Sequence, residues 1–261
     1  VTGGAAGRLG PRVTLPGRHR TPTDGTHAPP DLRCYLVTSG TGRRTVEVAA
    51  AAADAGAGVV QVRAKQATAA ELLELTCAVA EAVHAVRPVT RVLVDDRADV
   101  AFAARARGAA VHGVHLGQDD LPVTEARALL GPDAVIGLTT GTPDLVRAAE
   151  RLRGVIDYVG AGPFRPTPTK DSGRDPIGVD GYHGLVAATS LPIVAIGGVE
   201  PRDVPELART GVAGVALVRA IMDAADPGAV VGQVLAGMDT GQHHRGGAEP
   251  VRVNRPGTGC R

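Results

Sequence analysis

Residues 34–63, CYLVTSGTGRRTVEVAAAAADAGAGVVQVR, decide the fold. Cys34–Thr38 is a short apolar run and reads as a strand. Arg43–Ala55 is Ala-rich and reads as a helix. Val59–Arg63 returns to strand. A strand, a helix and a second strand in close succession form a βαβ unit, whose two strands run parallel. A doubly wound open sheet would want a glycine-rich turn after the first strand. Thr38-Ser39-Gly40-Thr41-Gly42 matches GxGxxG poorly, which favours a closed barrel.

The same alternation continues along the chain. Helix Ala69–Val86 leads to strand Arg91–Asp95. Helix Ala98–Arg107 leads to strand Val114–Leu116, and helix Thr124–Leu130 to strand Val135–Leu138. Helix Pro143–Arg153 precedes strand Tyr158–Ala161. A helix near Gly181–Thr189 leads to strand Ile193–Ile196, and helix Arg202–Thr210 to strand Val215–Val218. Helix Ala229–Gly237 ends the series. About eight strand–helix units predict a single (β/α)8 TIM barrel over residues 32–237, a length that suits one such barrel. Residues 1–31 and 238–261 are rich in Gly, Pro, Arg and His without periodicity, and they read as disordered tails.

Composition narrows the function. The 261 residues are 44% hydrophobic but only 2% aromatic, so the core must be built from many small contacts. Net charge is +1, and no basic stripe with interleaved aromatics is present, which argues against nucleic acid as a partner. Cys34, Cys77 and Cys260 are odd in number and scattered, which suits a reducing cytoplasm rather than a disulfide framework. No apolar run reaches the roughly 18 residues that a membrane-spanning helix needs.

Chemistry-bearing residues gather just after the strands, the end at which such barrels carry their active sites. Gln61, Arg63 and Lys65 sit at i, i+2 and i+4 in VVQVRAK, so a continuing strand would put all three on one face. Two cations aimed into a barrel mouth suit a di- or tri-anion. Asp95-Asp96 closes one strand and Asp119-Asp120 follows the next. Each pair is readable as helix N-caps. Brought together, they would repel unless a divalent cation such as Mg²⁺, shared with phosphate oxygens, lay between them. Gly197-Gly198 and Val218-Arg219 follow the last two strands, where phosphate pockets form in these barrels. The loop GAGPFRPTPTKDSG (160–173) is too long for a simple connection, and its Thr167, Thr169 and Lys170 suit an anionic ligand. His112 and His115 have no partner at metal spacing. His115 alternates with Val114 and Leu116, and a hydrogen-bonded interior histidine is the expectation.

Together the segments YLVTS (35–39), QVRAK (61–65), VDDRADVA (94–101), GVHLGQDDLP (113–122), DYVGAGPFRPTPTKDSG (157–173), PIVAIGGV (192–199) and GVAGVALVRAIM (211–222) resemble the thiamine-phosphate synthase family. They cover most of the region assigned to the barrel, in order. The resemblance implies a (β/α)8 barrel that joins hydroxymethylpyrimidine diphosphate to a thiazole phosphate and releases diphosphate. It implies pyrimidine-diphosphate contacts at Gln61, Val62, Arg63, Ala64, Lys65, Asp95, Thr139 and Lys170, with Lys170 also catalytic. It implies magnesium on Asp96 and Asp120. It implies thiazole-phosphate contacts at Thr167, Pro168, Thr169, Gly198, Val218 and Arg219. Asp95 replaces a frequent Asn of the family, Thr139 a frequent Ser, and Arg219 a frequent small hydroxyl residue. About five extra residues near Arg107–Val111 should lengthen a helix or the loop after it. Two other readings stay open: a thiazole tautomerase-like barrel that uses histidine for proton transfer, and a non-catalytic thiazole-phosphate sensor.

Overall fold

A computed structural model describes residues 29–166 and 175–246. Eight strands form a closed, all-parallel barrel in the order β1 to β8. They are β1 (Cys34–Val37), β2 (Val59–Val62), β3 (Arg91–Asp95), β4 (Gly113–Leu116), β5 (Val135–Thr140), β6 (Tyr158–Ala161), β7 (Ile193–Ile196) and β8 (Gly214–Leu217). β1 pairs with β8 in the register Cys34 with Val215 and Leu36 with Leu217, which closes the sheet on itself and removes its edges.

The helices are α1 (Arg43–Asp54), α2 (Ala69–Val86), α3 (Ala98–Ala106), α4 (Val123–Leu130), α5 (Pro143–Glu150), α6 (Gly178–Ala187), α7 (Val204–Thr210), α8 (Arg219–Met222) and α9 (Pro227–Gly246). Local chemistry sets their ends. Thr68 and Glu71 form a capping box at the start of α2, each side chain bonding the other residue's backbone N–H. Gly211 ends α7 in the left-handed conformation that glycine adopts without strain.

The pleat sorts side chains into two cores. Cys34, Leu36, Val60, Val62, Val92, Val94, Val114 and Leu116 face outward and pack with the helices. Tyr35, Val37, Val59, Leu93, Tyr158, Val194 and Ala216 face inward and fill the barrel. Two of the chain's three tyrosines thus lie inside the barrel, in a chain with almost no other aromatic residues.

Most strands begin and end within two residues of their sequence expectations, and the helices differ more. The chain does not leave the fold at 237. α9 continues to Gly246, and Met238 is fully buried, so residues 238–246 are helix and not tail. GQHH carries no outward sign of order, but Gly241 lets α9 approach α7 so closely that a Cβ there would meet Ala208 Cβ at 2.4 Å. α5 stops at Glu150 rather than Arg153, and a 3₁₀ turn, Pro201–Asp203, precedes α7. Arg107, at the end of α3, opens a loop that runs to Gly113, where the extra residues were expected. The tail residues 1–28 and 247–261, and loop residues 167–174, lie outside the described residues.

Candidate active site

A cavity of about 820 Å³ opens at the C-terminal end of the strands. That volume suits a small-molecule substrate. Gln61, Arg63, Lys65, Asp95, Asp96 and Asp120 line one side of it. β2 ends at Val62, so Arg63 and Lys65 stand on the loop beyond the strand, yet both still reach the cavity. Thr38 braces that loop, because its Oγ1 accepts from the Arg63 N–H at 3.0 Å. Val62 is buried in the outer core and Ala64 packs against it. The alternation that brings Gln61 inward turns the Val62 side chain away, so any contact from Val62 and Ala64 to a ligand in the cavity falls to their backbone.

The cations and carboxylates interlock. Arg63 Nε lies 3.2 Å from Asp95 Oδ2, and Lys65 Nζ lies 3.7 Å from the same oxygen. Lys65 also bonds Asp96 directly. Burial alone would lower the Lys65 ammonium, but its bond to Asp96 and the charges of Asp95 and Asp96 leave it above its ordinary value.

Asp96 has a positive φ of 60°, which Asp tolerates better than most residues, and its N–H donates to the His115 carbonyl at 2.8 Å. Asp120 Oδ2 accepts from the Gly117 N–H at 2.6 Å. Burial raises the Asp120 carboxyl above its usual range, against the pull of the Gly117 N–H, and the hydrogen-bonded Asp96 carboxyl raises it further. Neither acidic pair caps a helix. The N-cap positions of α3 and α4 belong to Arg97 and Pro122. The capping account therefore fails, and Asp96 and Asp120 meet across the cavity.

A chain of polar groups crosses the barrel below these charges. Gln61 Nε2 donates to Asp95 Oδ1. Tyr35 donates its hydroxyl to Gln61 Oε1 at 2.6 Å and lies 2.7 Å from the Tyr158 hydroxyl. The Tyr158 oxygen is 2.9 Å from His115 Nδ1, and His115 Nε2 is 3.0 Å from Thr139 Oγ1. Both phenols are held well above their ordinary range, burial being the largest cause, and stay protonated at neutral pH. The expectation of an interior, hydrogen-bonded His115 holds. Sequence reasoning missed Tyr35 and Tyr158 as site residues. Their parity was the available signal, since each lies two residues before another inward position, Val37 and Gly160.

The other wall comes from the last strands. Gly197, Gly198, Val218 and Arg219 all border the cavity, at the place after the last two strands where the sequence put them. Gly197 and Gly198 have φ of 96° and 76°, and a Cβ on Gly198 would meet Arg165 Cγ at 2.4 Å. Any other residue would be strained by the positive φ, and at Gly197 a Cβ would also lie 2.7 Å from Pro163 Cα. Val218 and Arg219 sit at the start of α8, a short helix that the sequence reading had passed over. The loop after β6 is rooted at the same rim. Phe164 N–H donates to the Ile196 carbonyl at 2.8 Å, and Ile177 N–H returns to the Pro163 carbonyl at 2.8 Å. Thr167, Pro168, Thr169 and Lys170 fall between those anchors, outside the described residues.

Among the described residues, no three or more His, Cys, Asp or Glu side chains form a ready cation cage. Asp96 and Asp120 fit a hard divalent cation that takes one or two carboxylates and fills its remaining positions with water and phosphate.

Comparison with known proteins agrees with this geometry. The thiamine monophosphate synthase family model matches residues 34–221. A thiamine-phosphate synthase of Corynebacterium efficiens is 56% identical over 214 residues, covering 82% of this chain and 98% of the relative. That of Corynebacterium jeikeium is 57% identical over 206 residues, covering 79% and 94%. The solved structure of a thiamine phosphate pyrophosphorylase from Pyrococcus furiosus superposes with a TM-score of 0.69 at 29% identity, covering 81% of this chain and 98% of that one. The chain belongs to the thiamine monophosphate synthase family.

Proposed function

We propose that this cavity joins a hydroxymethylpyrimidine diphosphate to a hydroxyethylthiazole phosphate, giving thiamine phosphate and free diphosphate. Thiamine-phosphate synthesis, a transferase reaction, is the activity of the family. The observation that carries the substrate assignment is the cavity's division into two chemically different ends. One holds Arg63, Lys65, Asp96 and Asp120, and the other holds Gly197, Gly198 and Arg219. A diphosphate with its cation suits the first end, and a monophosphate suits the second.

In the reaction the bond between the pyrimidine's exocyclic carbon and the diphosphate oxygen breaks, and the electron pair leaves with diphosphate. The aminopyrimidine stabilises the cation that remains, and the thiazole nitrogen donates its pair to that carbon. No protein nucleophile is needed. Arg63 and Lys65 bind the diphosphate oxygens and offset the charge that develops there. Gln61, Asp95 and Thr139 hold the pyrimidine end, while Gly198, Val218 and Arg219 hold the thiazole phosphate, so the ring nitrogen faces the reacting carbon. Asp96 and Asp120 would hold Mg²⁺, which when bound supplies positive charge to the diphosphate oxygens. Thr167, Pro168 and Thr169 are assigned to the thiazole phosphate and Lys170 to the diphosphate, on family resemblance. A cytoplasmic location is proposed from the scattered cysteines. Among the described residues no helix is long and apolar enough to cross a membrane.

The tautomerase-like and sensor readings are not favoured, since an isomerase or a sensor has no diphosphate to neutralise. The test is diphosphate release with both substrates present, repeated over a magnesium titration for the wild type, Asp96→Asn and Asp120→Asn. Release is expected only with both substrates, and each variant should need more magnesium and turn over slowly at saturation. Binding without release would leave the sensor. Wild-type magnesium curves in both variants would remove the metal from these two carboxylates.

A further inference from the structure

The polar chain across the barrel has a determinable direction. The Gln61 amide is oriented by Asp95, because a carboxylate oxygen accepts and so faces Nε2. Gln61 Oε1 therefore faces Tyr35, which spends its single hydroxyl proton on it. The Tyr35 oxygen is left to accept, so Tyr158 donates to Tyr35. Tyr158 has then spent its own proton, and its oxygen accepts from His115 Nδ1. A neutral imidazole that carries its proton on Nδ1 accepts at Nε2, and Thr139 Oγ1 is the group beside it.

We propose that Tyr35 and Tyr158 are positioning residues that lock His115 as the Nδ1–H tautomer and thereby set what the cavity offers a ligand. All five bonds run one way, from Thr139 to Asp95. With its carbonyl committed, Gln61 has only N–H to present. With its proton committed to His115, Thr139 presents only oxygen lone pairs. A donor at Gln61 and an acceptor at Thr139 complement a heteroaromatic edge that pairs a ring nitrogen with an amino group. A ring bearing a carbonyl and a protonated nitrogen has the opposite pattern and is disfavoured. The packing is built around this contact. Gly137 leaves room for it, since a Cβ there would lie 2.2 Å from Tyr158 Cζ and 2.4 Å from His115 Nδ1. The specificity argument rests on the aminopyrimidine reading of the substrate. The tautomer argument does not, so the two can fail separately.

The test is nitrogen NMR on the ligand-free full chain labelled with ¹⁵N-histidine, with the His115 signals identified by their loss in His115→Asn. The wild type should show a protonated Nδ1 and an unprotonated Nε2 at neutral pH. In Tyr35→Phe the Tyr158 proton loses its acceptor and turns to His115 Nδ1, so the proton should move to Nε2. Tyr35 is one residue removed from His115 in the chain of bonds, so a purely structural role for its hydroxyl would leave the tautomer unchanged. In Tyr158→Phe the lock is lost and both tautomers should appear. With activity as a second readout, Tyr35→Phe should raise KM for the pyrimidine substrate about five- to tenfold, the worth of roughly one hydrogen bond, with a smaller effect on kcat. An Nε2–H or doubly protonated ring in the wild type overturns the proposal, as does an unchanged ring in a folded Tyr35→Phe protein. The wild-type spectrum alone decides it if neither variant folds.

Discussion

Gly137 shows how little room the centre of the site has. It stands at an inward position of β5, opposite Tyr158 in the register with β6. A methyl group there would strike the Tyr158 ring and His115. Gly137→Ala should cost about 1–3 kcal/mol through overpacking, and the relief has to come from moving one of those two rings. Turnover should then fall more than the melting temperature suggests, because the displaced rings hold Gln61 and Thr139. Parallel measurement of melting temperature and kcat/KM checks this, and normal turnover in a destabilised protein would detach the network from function. Asp96 illustrates which single-residue features a sequence hides. Its carboxylate and its place after a strand were legible, but its left-handed backbone beside the His115 carbonyl of β4 and its direct bond to Lys65 beyond β2 join segments distant in sequence and were not.

At the level of elements, periodicity located every strand, because a strand buried on both faces is a short apolar run between breakers. Inward residues were harder to read. The i, i+2, i+4 rule placed Gln61, Arg63 and Lys65 on the cavity correctly, although the strand stops at Val62 and Lys65 lies in a turn that the Ala67 N–H closes on the Ala64 carbonyl. The place of Gly197 and Gly198 on the cavity wall was legible by position. The Tyr35–Tyr158–His115 contact was not, since it joins residues 123 and 43 apart in sequence through pleat parity alone. α9 was misjudged for a related reason. Its last turns are rich in Gly and His, and what holds them is tertiary, Gly241 against Ala208 of α7 and Asp239 paired with Arg33, which a local pattern does not display. A chain of residues 29–246 should keep the melting temperature and diphosphate-releasing activity of the full chain. Ending it at Gly237 removes the buried Met238 and the α7 contact at Gly241, which should cost about 2–5 kcal/mol by the scale of losing one large core side chain. Thermal unfolding of the two truncated chains compares them directly. Equal stability would mean that the final turns of α9 add nothing to the barrel.

The whole molecule divides its two ends between chemistry and stability, as barrels of this kind do. The cavity takes one end. At the other, His112 lies just before β4 and stitches three strands together. Its Nδ1 accepts from the Val92 N–H at 3.0 Å, its N–H donates to the Val92 carbonyl at 2.7 Å, and its carbonyl accepts from the Val135 N–H at 2.9 Å. Burial is the main cause that lowers its imidazole from 6.5 to about 4, and the nearby Arg91, Arg105 and His84 act in the same direction. A lowered histidine means that the unfolded chain binds a proton which the folded barrel refuses. Stability from this group is therefore complete above about pH 6.5 and declines as pH falls toward 4. A shift of this size corresponds to at most about 3 kcal/mol. His112→Asn tests it, because the Asn side-chain oxygen can take the Val92 N–H without titrating. Urea unfolding of both proteins at pH 7, 5.5 and 4.5 should show the wild type losing about 2–3 kcal/mol more than the variant over that range. Activity at pH 7 should be the same in both, since His112 sits at the end of the barrel away from the cavity. Parallel stability curves would show that the His112 ring protonates in the folded barrel as readily as in the unfolded chain, and the acid sensitivity of the molecule would then have to come from its carboxylates.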